Sequence, residues 1–276
     1  MSTPVHRTSP LLKLMLVLGF VFLYAPMLSL VVYSFNASRL VTVWAGFSTQ
    51  WYGELFADEG IMAAAWVSIR IAFFTATTAV VLATVAAMVM TRFRRFPGKT
   101  LFGALITAPL VMPEVITGLS ILLLFVSMGL ARGMMTIWIA HVTFCVAFVT
   151  VVVSSRLGEL DKSIEEAAMD LGANRLKVFF LITLPIIRPA LISGWLLAFT
   201  LSIDDLVVAS FVSGPSSTTL PMKVFSSVRL GLSPKINALA TLMILAVSVA
   251  AAVAWWLMAR DEKRRQRDMQ LALQQG

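Results

Sequence analysis

Apolar residues in this chain run in long blocks instead of alternating with polar ones, and the blocks have the length of membrane spans. A helix that crosses the hydrocarbon core needs about 20 mostly apolar residues. Six segments meet that length: 14–35, 63–90, 101–128, 134–153, 186–212 and 236–258. The pattern predicts an all-α integral membrane protein with six transmembrane helices. Arg7 and Lys13 precede the first block, as they would in a signal peptide. That block is longer than an ordinary signal core and lacks an A-x-A site before a polar stretch, so it reads as a retained span.

Lys and Arg collect on the cytoplasmic side of membrane proteins. With the N-terminus inside, sixteen of the 22 Lys and Arg fall on inner segments. They include Arg92, Arg94, Arg95 and Lys99 after span two, and Arg156, Lys162, Arg175, Lys177 and Arg188 around the loop between spans four and five. Arg260, Lys263, Arg264, Arg265 and Arg267 follow span six. The expected topology is N-in, C-in. Composition agrees: 59% of residues are apolar and 13% charged, against roughly a quarter charged in a soluble domain. The net charge of +8 therefore records topology, and no soluble basic element points to nucleic acid. The first outer connection holds Trp44, Trp51 and Tyr52, which suit the membrane interface. The single cysteine, Cys145, lies in an apolar run and reads as a small buried hydrophobe.

The loop between spans four and five carries the densest local information. Ser163 and Glu166 have capping-box spacing. Ile164, Ala167, Ala168 and Leu171 form one apolar stripe. Gly172 is placed for a left-handed cap, and Asn174 for the cap of a second helix over 175–183 that stops before Pro185. A short helix, a sharp turn and a second helix follow, and such a unit suits docking in a partner's groove. On local rules alone, Glu166 either caps its own helix or meets a partner.

The same residues carry a resemblance. Glu166-Ala167-Ala168, then Gly172, then Ile182-Thr183-Leu184-Pro185 match the EAA motif of ABC importer permeases at every fixed position. The chain resembles the type I members of that family, whose loop is a coupling helix inserted into an ATP-hydrolysing subunit. The resemblance implies that Glu166, Ala167, Ala168 and Gly172 couple the chain to such a subunit. It also implies a layout of 1–62 as first span and periplasmic interfacial segment, 63–258 as permease core with the coupling loop at about 156–185, and 259–276 as a basic cytoplasmic tail. Gly98-Lys99-Thr100 mimics the end of a phosphate-binding loop, but Phe93 stands where that motif needs glycine. No cofactor is expected on this chain; ATP and Mg belong to the partner ATPase.

Ionisable residues at membrane depth cost on the order of 2.5–3.5 kcal/mol on insertion scales and mark functional candidates. Glu114 follows Pro109 and Pro113, which break the helical ladder. Asp204 and Asp205 follow Ser202; one can face a pathway while the other caps or pairs. Trp195 and Phe199 lie one and a half to three turns before them, and aromatics beside a carboxylate suit an amine. Alternatively Glu114 caps a half-helix, an Asp pairs with Arg70 or Arg188, and the aromatics merely pack. Three acids with no matching basic cluster favour a cationic cargo. His141 reads as a packing histidine, because no acid lies within one turn of it in sequence.

Met112 to Ser120, Ser202 to Val207 and Thr219 to Phe225 are similar to the corresponding stretches of spermidine/putrescine permeases, the second permease of a putrescine importer above all. That likeness implies a permease moving polyamine inward across a bacterial inner membrane. Its partners would be a second, non-identical permease, an ATPase dimer, a periplasmic polyamine-binding protein and the lipid bilayer. Another ABC cargo, an iron complex or an anion, is the first alternative; a secondary transporter is the second.

Overall fold

The computed structural model describes residues 9–40, 43–93, 96–231 and 233–249, with 252, 256 and 260. Arg7, Arg94, Arg95, the end of the sixth expected span and the tail at 259–276, Arg260 apart, lie outside the described residues. The helices are α1 (Pro10–Ser34), α2 (Gln50–Phe56), α3 (Glu59–Arg92), α4 (Lys99–Val111), α5 (Glu114–Ser127), α6 (Met134–Glu159), α7 (Lys162–Asp170), α8 (Arg175–Val178), α9 (Leu184–Ile203), α10 (Val207–Val212), α11 (Leu220–Leu230) and α12 (Pro234–Val249). Among the described residues, one Asn36–Phe47 bridge is the only extended pairing. Four continuous helical runs are apolar and long enough to cross a membrane: α1, α3, α6 and Arg175–Ile203. The pair α4–α5 makes a fifth if counted as one bent span.

Contacts divide the chain into two compact units, Met1–Asp58 with Ser227–Gly276, and Glu59–Ser226. In the first, α1 buries only Ser34. The segment after it folds around the Asn36 side chain. Its amide donates to the Val43 carbonyl at 2.7 Å and accepts from the Ala45 and Ser38 N–H groups, while the Trp51 indole donates to the Asn36 carbonyl at 2.6 Å. Trp51 is thus a buried anchor and not an interfacial ring. Lys235 meets Asp58 at 3.3 Å.

The second unit is built on α3, α6 and α9. Ala76, Ala79, Ala83 and Ala87 form a fully buried stripe on α3, facing Cys145, Val149, Val153 and Leu157 of α6 and Ile187 and Ala198 of α9. Single-methyl side chains let helix backbones approach closely in a membrane, where dispersion and not water exclusion drives association. Cys145 is buried there, 3.6 Å from the Ala198 carbonyl.

Two expected spans are interrupted. The 101–128 block is two helices meeting at 116°. Met112 precedes Pro113 and is held extended at φ −78°, ψ 136°, the conformation a following proline imposes. The 186–212 block ends as a helix at Ile203 and resumes at Val207. Conversely, the expected stop before Pro185 does not occur. Phe179–Thr183 forms one π-helical turn in which the Leu184 N–H reaches the Phe179 carbonyl. Pro185 then sits in the first turn of α9, where a missing N–H costs little.

Gly214 touches the backbone just before α6: a Cβ there would overlap the Arg132 carbonyl oxygen. Gly214→Ala should destabilise the protein by about 1–3 kcal/mol through overpacking. Gly53→Ala, in open space on α2, should not. Thermal midpoints of the two detergent-purified variants check this.

Candidate functional sites: a carboxylate cleft and the coupling loop

Both helix breaks open onto one cleft of about 390 Å³, lined by Met112, Glu114 and Thr117 from the first, Asp204 to Val208 from the second, and Phe144 and Phe148 of α6. Glu114 is the first residue of α5, where a carboxylate is favoured by the helix dipole, and it is exposed. Asp204 caps the end of α9 and is exposed as well. The structure therefore brings Glu114, Asp204 and Asp205 to a common cavity, although some 90 residues separate the first from the others.

The two aspartates differ. Asp205 is buried, and its carboxylate accepts from the Ala209 N–H at 2.7 Å and the Val208 N–H at 3.3 Å, satisfying the start of α10. Its Oδ2 lies 3.1 Å from His141 Nε2, and Ser202 Oγ is 2.7 Å from His141 Nδ1. His141, expected to be a packing residue, has an acid partner after all. The partner comes from the break between α9 and α10, 64 residues away, so no local sequence signal marks it. Neither Asp204 nor Asp205 meets Arg70 or Arg188 in an ion pair; Arg70 lies over the Trp66 ring. Trp195 and Phe199 are not in the cleft. They stack on each other at 5.2 Å; Trp195 also meets Phe73 edge-on and donates to Thr77 Oγ1 on α3. Among the described residues no trio of His, Cys, Asp or Glu is placed to hold a metal ion.

At the loop, Asp161 and not Ser163 caps α7, accepting the Ser163 N–H at 3.0 Å. That bond holds the Asp161 carboxyl below the usual carboxylate range. The cap is therefore intact above that range and is lost only as pH falls through the lowered value. At the far end Gly172 takes φ +87°, donating to Met169, while Ala173 donates to Ala168, a Schellman closure. Asn174 accepts the Lys177 N–H and starts α8. Glu166 and Ala167 are exposed, and the stripe leaves Ile164 and Leu171 uncovered, Leu171 by 90%. Glu165, which no motif singled out, turns inward: it pairs with Arg92 at 2.8 Å and accepts from Thr183 Oγ1 at 2.7 Å.

Residues 79–267, more than half of the chain, match the family described as "Binding-protein-dependent transport system inner membrane component". The chain belongs to this family. It is 66% identical to the putrescine transport system permease protein PotI of Escherichia coli K12, with 98% of each chain covered. It is 40% identical to the spermidine/putrescine transport system permease protein PotC of the same strain, over 89% of this chain and 92% of that one. Among solved structures, a bacterial ABC transporter involved in import of the polysaccharide alginate has a similar chain, with a TM-score of 0.71, 18% identity and 91% and 98% coverage. That likeness is one of fold. Membership makes the chain a multi-pass permease, a transport subunit and not an enzyme.

Because Asp205 is buried and bonded while Asp204 is exposed, Asp205→Ala should cost about 2–4 kcal/mol of stability, through a lost cap and an unpaired buried histidine. Asp204→Ala should cost less than about 0.5 kcal/mol. Thermal unfolding in detergent distinguishes them.

Proposed function

We propose that this permease carries putrescine inward across a bacterial inner membrane, with Glu114 and Asp204 as the cargo-contacting carboxylates of its half of the pathway. The observation that carries the reading is their convergence on one cleft from two separate helix breaks. Broken helices at membrane depth are tolerated where they line a cavity, and two exposed acids suit a cargo with ammonium groups. The 66% identity to PotI supports putrescine as that cargo. Asp205 shapes the cleft from behind. Trp195 and Phe199 support the wall between α3 and α9.

The topology fitting this role is six spans with both termini cytoplasmic: the five apolar runs, counting α4–α5 as one, with α12 beginning the sixth. The chain works beside a second, non-identical permease, and α1, whose apolar surface is almost wholly uncovered, is suited to lipid or to that sister chain. A periplasmic binding protein delivers the polyamine. ATP and Mg reside on an ATPase dimer, whose groove receives α7 through the uncovered Ile164 and Leu171, with Glu166, Ala167 and Ala168 as contacts and Gly172 setting the turn. ATP-driven closure of that dimer moves the loop, and the pathway alternates between outward and inward access.

Uptake of radiolabelled putrescine in cells lacking their own system tests this. Glu114→Gln and Asp204→Asn should each lower uptake about ten-fold, the equivalent of about 1.4 kcal/mol of lost charge-assisted binding, while the variants still assemble with their partners. Unchanged uptake in both would overturn the assignment.

A further inference from the structure

We infer that Glu165 is the positioning residue that transmits movement of α7 to the span bundle, through a three-way latch with Arg92 and Thr183. This rests on the reading that α7 docks on an ATPase subunit, and goes beyond it by assigning where the motion enters the bundle.

Three elements converge on one carboxylate. Arg92 Nε lies 2.8 Å from Glu165 Oε2, and Arg92 Nη2 donates to Oε1 at 3.1 Å. Thr183 Oγ1 donates to the same Oε1 at 2.7 Å. The remaining arm of the guanidinium, Nη1, donates to the Leu157 carbonyl near the end of α6 at 3.1 Å. Arg92 is the last residue of α3, Thr183 the last of the π-helical turn that leads into α9, and Leu157 belongs to the same core as the alanine stripe. The latch thus joins α7 to each of the three helices that form that core. Arg92 and Glu165 are only 13% and 12% exposed, so the pair is shielded from the solvent screening that makes surface ion pairs weak.

Among the described residues, the side-chain hydrogen bonds and ion pairs between α7 and other elements all pass through Glu165. Its neighbour Glu166 faces outward. Adjacent helical residues point about 100° apart, so the two glutamates divide the work: Glu166 meets the partner and Glu165 holds the spans. The π-helical turn suits the receiving end, since such turns are short irregularities that recur at functional positions. A charge-assisted guanidinium–carboxylate hydrogen bond is directional, and with the Thr183 bond on the same oxygen it conveys displacement of α7 to α3 where an apolar contact would slide.

The test uses the complete complex in proteoliposomes, with ATPase activity measured with and without putrescine-loaded binding protein. Glu165→Gln should keep subunit composition and basal ATPase activity but lower the stimulated-over-basal ratio about ten-fold, within the usual range of coupling between sites. The exchanged pair Arg92→Glu with Glu165→Arg should recover only part of that ratio, because it restores the charge attraction without the Leu157 and Thr183 hydrogen bonds. Wild-type stimulation in Glu165→Gln overturns the proposal. So does loss of the ATPase subunits from the purified Glu165→Gln complex, because the carboxylate would then serve assembly alone. Glu166→Arg separates this from the docking reading. If it leaves ATPase association unaltered, docking through α7 is wrong; if it abolishes association while Glu165→Gln is silent, only the latch is wrong.

Discussion

Inside a bilayer the hydrophobic effect does not draw helices together, so the approach of α3 to α6 and α9 depends on what their facing surfaces permit. Ala76, Ala79, Ala83 and Ala87 permit close contact, and all four are fully buried. Two polar clusters in the second unit lie on the helices joined by that contact. It sets the spacing of α6 and α9, and hence the meeting of His141 with Ser202 and Asp205. At the other end of the same helices it fixes Arg92 beside Leu157 and Thr183.

The charged groups then sort by how they are satisfied. Asp205 and Glu165 are committed to partners inside the chain, and their loss leaves buried groups unpaired. Asp204, Glu114 and Glu166 are exposed, each a near neighbour of a committed or conformationally constrained position. Paired acidic residues, Asp204-Asp205 and Glu165-Glu166, thus place an internally bonded carboxylate beside an exposed one. A bonded neighbour holds each exposed acid in place without consuming its charge, an arrangement that would suit binding and release of a cation.

Much of this was legible in the sequence because it is local. Block length marked the four long apolar runs and the bent α4–α5 pair among the described residues, Pro113 the α4–α5 break, and Gly172 and Asn174 the turn after α7. Where local rules failed, tertiary or neighbouring geometry overrode them. Asp161 displaced Ser163 as the cap of α7 because its carboxylate reached the Ser163 N–H. Pro185 failed to end its helix because a π turn absorbed the missing donor. Trp195 and Phe199 kept the spacing expected of a pathway stripe but face α3 through Phe73 and Thr77. Both partners of His141, and the Arg92 partner of Glu165, lie more than sixty residues away along the chain, beyond any periodicity argument.

If the cleft at the two helix breaks is a pathway with alternating access, a probe placed in it changes sides during the transport cycle. Met112 lines it without carrying charge, so Met112→Cys in a Cys145→Ala background can report on it. Labelling by a small cationic thiol reagent, added to either side of the reconstituted complex, should switch sides between nucleotide-free and ATP-trapped states and be slowed by putrescine-loaded binding protein. Labelling from the same side at the same rate in both states, indifferent to putrescine, would mean that the cleft is not such a pathway.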